Sequence, residues 1–344
     1  MDLFGIGLPL LVLFVSFGFM VGVLFGFFGM GGAFLITPTL LILDYPASVA
    51  IGSGLAFYFG TSVIAVMKHY DIGQVNYKLG LVMFVGLTIG IEGGRILVFG
   101  LEELGIAELV TGAAYVFLLA AIGMLFLRRA FAGDESDGDG DGNSSVEEDD
   151  VPEIAQKIQS YNLPPMISLV SGGRASLWTI SGVGGGVGLV SGLLGVGGGF
   201  IRMPAIYYLI GTPLAVAVGT SLFAGLFSGA FGTFTYGRAG SVDLVVVGTL
   251  LVGSALGARI GSAATTVVEE DDVIVYFGIM MVLASLGIAL QQLAGWLDVG
   301  ALDVLSVLLL VGSSFFVALI ILYKVFKTAP NSSANAQPTP DGDD

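Results

Sequence analysis

The sequence predicts an all-α polytopic membrane protein. It is made of two inverted repeats, each opening with a glycine-broken helical hairpin, and it is closed by a C-terminal helix. Three observations predict this: composition, run length and duplication. Of 344 residues, 55% are hydrophobic and 11% charged, with 54 glycines and a mean hydropathy of +0.93. Soluble domains carry about 25% charged residues. Runs without Asp, Glu, Lys, Arg or His cover 3–43, 45–67, 79–91, 109–127, 175–201, 203–237, 244–258, 273–297 and 304–323. A bilayer core about 30 Å thick needs about 20 apolar residues per helix, and most of these runs supply them. The two short runs continue past isolated charges, Glu92 and Arg95 in one and Arg259 in the other. Segments of about ten residues with dyad alternation, the mark of a β-barrel, are missing.

The elements follow in order. Residues 4–28 read as a retained first helix, because no basic residue precedes them and no A-x-A site follows. A G-x-G-G break then leads to a half-span, 33–43, and full helices near 46–67, 79–100 and 106–128 complete residues 1–129 as the first repeat. The linker 130–173 is expected to be disordered, since 133–153 holds ten acidic residues and no basic one. The second repeat, 174–296, has a hairpin of 176–196 and 200–210, then helices near 213–236, 242–266 and 273–294. A last helix near 302–323 lies in the segment 297–327, and the polar tail 328–344 is expected to be disordered.

The duplication is visible residue by residue. GVLFGFFGMGGAFLITP at 22–38 matches GLVSGLLGVGGGFIRMP at 188–204 at seven of 17 positions. With one residue of slippage, Gly52-Ser53 aligns with Gly219-Thr220, Gly73 with Gly240, and Gly86, Gly90 and Gly94 with Gly253, Gly257 and Gly261. The last two triplets are G-xxx-G-xxx-G faces, which read as helix packing. Placing Lys324 and Lys327 in the cytoplasm puts nine of twelve basic residues inside, with Arg95 and Arg238 outside and Arg202 in a hairpin. The positive-inside rule accepts this layout. It makes helix 46–67 run inward and 213–236 outward, the inverted arrangement of many secondary transporters. The linker 130–173 and the C-terminus are then cytoplasmic, in a multi-pass membrane protein.

Composition also excludes chemistry. The chain has no Cys and one His, His69, read as lying in an exposed loop. Thiolate metal sites, thiol nucleophiles and Ser–His–Asp hydrolysis are therefore not expected, so no catalytic or metal-binding residues and no cofactors are assigned. The net charge of −15 argues against nucleic-acid binding and suggests a halophile, whose carboxylates keep surfaces hydrated.

The glycine hairpins GFFGMGGAFLITP and GLLGVGGGFIRMP, with GTPLAVAVGTS and the late GARIG at 257–261, resemble the TauE/SafE sulfite-exporter family over nearly all of the chain except linker and tail. The resemblance implies a plasma-membrane transporter of sulfite, sulfoacetate or other small organic and sulfur anions. Ala33 replaces Gly199, Ile36 replaces Arg202, and Ser53-Gly54 replaces Thr220-Ser221, so the halves are expected to have unequal roles.

The candidate substrate-binding residues are Gly31, Gly32, Gly197, Gly198, Gly199, Arg202, Ser53, Thr220 and Ser221. A broken helix leaves unpaired N–H groups and a positive dipole end, which bind anions, and glycine lets the chain turn and the ligand approach. Arg202 lies in an apolar half-helix, where a charge is costly unless paired, and its fork suits an oxyanion. The hydroxyls of Ser53, Thr220 and Ser221 can bond the same anion or a neighbouring helix. Glu92 is a candidate for proton coupling, against the plainer reading of an ion pair with Arg95. The function expected is secondary transport of a small anion across the lipid bilayer, coupled to H+ or Na+, since no G-x-x-x-x-G-K-[ST] motif supplies ATP drive. A passive anion channel is the alternative. The sequence carries no signal of oligomeric state.

Overall fold

The computed structural model describes residues 2–3, 6–28, 33–70, 75–132, 164–168, 174–210, 212, 214–264, 268, 271–297 and 300–332. The first half contains α1 (Leu8–Phe28), α2 (Ala33–Ile42), α3 (Ala47–Tyr70), α4 (Tyr77–Glu103) and α5 (Ala107–Ala132). The second contains α6 (Leu177–Leu194), α7 (Gly199–Ala205) continued by a π-helical turn Ile206–Ile210, α8 (Leu214–Arg238), α9 (Leu244–Ala264) and α10 (Asp271–Leu297). The last span is α11 (Gly300–Val307) and α12 (Ser313–Ser332), joined by a π-helical turn Leu308–Gly312. Among the described residues, seven helices are long and apolar enough to cross a membrane. Large apolar side chains such as Ile89, Phe117, Leu125, Leu256 and Phe316 face outward, with Phe117 78% exposed. A water-soluble protein rarely carries so broad an apolar surface, and a bilayer covers it.

The segments follow the hydrophobic pattern closely and differ at the ends. The first helix begins at Leu8 rather than residue 4, and Asp2–Leu3 pairs with Ile6–Gly7 as a short antiparallel hairpin. Pro9 is the cause: its missing N–H is harmless in a first turn and would break a helix begun earlier. A second short hairpin pairs Met166–Ser168, at the end of the expected linker, with Arg174–Ser176, the start of the expected second repeat. Helix α5 reaches Ala132 and α12 reaches Ser332, while 133–163, 169–173 and 333–344 lie outside the described residues. His69 falls in the last turn of α3 rather than in a loop.

Close crossings join the halves. Gly18, Gly22 and Gly26 of α1 meet the backbone of α9 at Leu250, Ser254 and Ala258, and Gly253, Gly257 and Gly261 meet α1 at Val15, Phe19 and Val23. The rising order on both sides makes α1 and α9 parallel. Helices α4 and α6 do the same, with Gly86, Gly90 and Gly94 against 181–193 and Gly184, Gly188 and Gly192 against Met83, Leu87 and Ile91. The small-residue faces read from the sequence are packing faces, and each meets a helix of the other half.

The helices that align between halves run against each other. In α3 and α8, Gly52 meets Tyr236, Leu55 meets Gly232 and Phe59 meets Gly229. In α5 and α10, Gly112 meets Gln292 and Gly123 meets Gly278, with Ser285 Oγ donating to the Val116 carbonyl at 2.8 Å. Both pairs are antiparallel. Side-chain capping fixes the helix starts beside them: Asn76 Oδ1 accepts from Leu79 N–H at the head of α4, and Asp243 Oδ1 accepts from Val245 and Val246 N–H at the head of α9.

A candidate anion site at the second helix break

Helix α6 starts with Ser176 as N-cap and ends on Gly195, whose φ is +70°. Gly197 (φ +69°) and Gly198 (φ +73°) then turn the chain into α7. A residue with a side chain pays about 1–2 kcal/mol for such a conformation. Space forbids one as well. A methyl on Gly197 would lie 2.1 Å from the Tyr58 ring, and one on Gly195 2.8 Å from the Ile51 backbone. The G-x-G-G signature is therefore a turn closed against α3 of the other half.

Arg202 sits one turn into α7, where its N–H donates to Gly198 O at 2.7 Å. Its side chain is wholly buried, 0% exposed. Nη1 donates to Ser221 O at 2.7 Å, and Nη2 donates to Gly197 O at 2.6 Å and Ser228 Oγ at 3.2 Å. Nε has no partner. Among the described residues the ion pair is Arg95–Glu92, and no carboxylate meets Arg202. Three hydrogen bonds leave part of the five-donor fork unmatched. The charge itself, costly in a low-dielectric interior, is uncompensated. The guanidinium is closed off from solvent in this conformation.

The other sequence-predicted residues divide. Gly197, Gly198, Gly199 and Ser221 surround Arg202; Ser221 contributes its backbone carbonyl, and its hydroxyl faces Gly199 O at 3.5 Å. Ser53 and Thr220 are buried but serve as a matched pair across the halves. Asp243 N–H donates to Ser53 Oγ, and Asn76 N–H to Thr220 Oγ1, each at 3.0 Å. Each hydroxyl thus anchors the head of a helix in the opposite half. Gly31 and Gly32 lie outside the described residues. Glu92 accepts twice from Arg95 Nε, at 3.1 and 3.2 Å, on a side chain 37% exposed, so the plainer reading describes its geometry.

Three residues escaped sequence reasoning: Tyr58, Ser191 and Ser228. Tyr58 Oη and Ser191 Oγ are buried without hydrogen-bond partners, and Ser228 Oγ accepts from Arg202. The available signal was in the alignment, which sets Tyr58 opposite Gly225, a Tyr-to-Gly mismatch in size between α3 and α8. A cation with spare donors beside hydroxyls is equipped to hold an anion.

A family model described as sulfite exporter TauE/SafE matches residues 14–288. The chain is similar to the probable membrane transporter protein YunE of Bacillus subtilis, 23% identical over 280 residues, covering 79% of this chain and 94% of that protein. It is similar to the probable membrane transporter protein YjnA of the same organism, 27% identical over 72% of this chain and 87% of that protein. An archaeal relative, the probable membrane transporter protein MJ0441 of Methanocaldococcus jannaschii, is 27% identical over 62% of this chain and 68% of its own length. No solved structure matches the chain.

Proposed function

Because this chain belongs to the sulfite exporter TauE/SafE family and is a multi-pass membrane transporter, we propose that it moves a small anion, a sulfur oxyanion or an organosulfonate, driven by an ion gradient. The observation that carries the reading is Arg202: a buried guanidinium with no carboxylate beside it and with donors to spare. An oxyanion with several oxygens matches such a fork better than a point-like ion does. Occlusion of the site favours a carrier, which closes around its cargo, over a standing pore.

We read the halves as inverted repeats. What supports this is the antiparallel packing of the aligned helices and the exchange of helix-anchoring hydrogen bonds by Ser53 and Thr220. The orientation with 130–173 and the C-terminus in the cytoplasm is supported by the distribution of Lys and Arg. Single cysteines placed in the linker are expected to resist membrane-impermeant maleimide in intact cells, and rapid labelling from outside would reverse the topology.

Coupling through Glu92 requires that it leave Arg95, whose Nε donates to both carboxylate oxygens in this conformation. The direct test of function is uptake into proteoliposomes of sulfite, sulfate, thiosulfate, methanesulfonate and small carboxylates, with imposed H+ or Na+ gradients. Accumulation of one of these anions against its own gradient is expected. Flux that only dissipates gradients would establish the channel.

A further inference from the structure

We propose that Tyr58 of the first half donates its phenolic O–H to the anion held by Arg202 of the second, so that the chain clamps one anion between its halves. This rests on Arg202 being the anion site. Tyr58 is 1% exposed, and its ring lies against the Cα side of Gly197. Its hydroxyl has no hydrogen-bond partner, although buried hydroxyls rarely lack one. A Cβ at Gly225 would lie 2.2 Å from Tyr58 Oη and 2.6 Å from Arg202 Nη1. The phenol and the guanidinium therefore flank one point, beside Gly225 of α8, which carries no side chain.

Ser191 adds a third donor. It is 1% exposed, and its Oγ is also unpartnered. A Cβ at Gly198 would lie 3.7 Å from Ser191 Cβ and 3.0 Å from Arg202 Nη2. Helices α3, α6 and α7 thus each bring one unmatched donor to the surroundings of the Arg202 guanidinium, Tyr58 at its Nη1 end and Ser191 at its Nη2 end. A guest that only accepts hydrogen bonds satisfies all three, and the guanidinium's charge favours an anion over water.

The duplication does not generate a second such site. The position aligned with Arg202 is Ile36, itself buried, and the position aligned with Tyr58 is Gly225. By this alignment the two positions that would repeat the clamp carry neither the cation nor the phenol. One anion per chain follows, held by residues of both halves.

The test is titration calorimetry on the full chain in nanodiscs, with sulfite, thiosulfate and methanesulfonate as probes. The wild-type protein is expected to bind one anion per chain. Tyr58→Phe keeps the ring against Gly197, so the melting temperature is expected to hold while affinity falls ten- to a hundredfold, the range for a hydrogen bond to a charged group. Ser191→Ala, which removes a hydroxyl and little packing, is expected to weaken binding in the same direction. Arg202→Lys separates the two readings. If Arg202→Lys weakens binding while Tyr58→Phe and Ser191→Ala leave it unchanged, the clamp is wrong and the Arg202 site stands. Two anions per wild-type chain also overturn the clamp. Absence of binding by every probe, or binding indifferent to all three variants, overturns both readings.

Discussion

A guanidinium inside an apolar bundle persists only if its donors and its charge find partners, and Arg202 meets half of that condition. Its fork ties Gly197 O to Ser221 O and Ser228 Oγ, so it braces the helix break as well as forming the proposed site. Truncation therefore has two consequences of opposite sign. Arg202→Ala leaves buried carbonyls unmatched, at about 1–3 kcal/mol each, while removing a desolvated charge. The net change in melting temperature is expected to be small. Transport is expected to fall at least a hundredfold, about 2.7 kcal/mol of lost anion stabilisation. Arg202→Lys keeps the charge and loses the forked geometry, so partial transport with a raised KM is expected. Wild-type kinetics in a folded Arg202→Ala protein would reduce the residue to a brace.

At the scale of elements, two kinds of glycine do different work, and the structure separates them. A methyl on Gly257 would lie 1.9 Å from the Phe19 carbonyl oxygen, a backbone atom of α1 that cannot swing aside. Gly257→Val is expected to force α1 and α9 apart and to cost about 3 kcal/mol or more of stability, the upper range for overpacking. Gly198→Ala meets a positive φ and the movable Nη2 of Arg202 at 3.0 Å. It is expected to weaken anion binding at least tenfold while melting more nearly as wild type does. Normal binding with a lowered melting temperature in Gly198→Ala would make the break a packing motif only. Both glycine patterns were legible in the sequence, because run length and G-xxx-G spacing are local. The partners of those faces were not legible, since α1 meets α9 and α4 meets α6 across the halves. Ser53 and Thr220 stood out as polar residues in apolar runs. Their role as acceptors for the heads of α9 and α4 depends on contacts 190 and 144 residues away in sequence. Tyr58 gave no local signal, because one aromatic in an apolar helix is ordinary until its neighbour proves to be Gly225.

For the whole molecule, the glycine crossings tie helices of the two halves together. Helices α1 and α9 touch backbone to backbone, as do α4 and α6, and α3 packs on α9 while α8 packs on α4. We propose two bodies for a rocking movement, α1 with α3 and α9, and α4 with α6 and α8, each drawing helices from both halves of the sequence, with the extensive α3–α8 contact as the surface between them. They meet along the antiparallel seam of α3 and α8, where Tyr58 faces Gly225 and Arg202. If the cargo is released by rocking one body on the other, that seam must slide or open, because the site is closed within it. A covalent link across it tests this. A Cβ at Gly229 would lie 3.2 Å from Phe59 Cβ, a few tenths of an ångström short of the separation of about 3.5–4.5 Å found in disulfides. The chain has no native Cys to interfere. The double variant Phe59→Cys, Gly229→Cys is expected to transport when reduced, to lose transport on oxidation and to recover it with reductant. Anion binding to the oxidised protein is expected to persist or become slow to reverse, since the link holds the closed form. Undiminished flux through fully cross-linked protein would mean that anions pass without movement at the seam, and the rocking carrier would give way to a fixed pore.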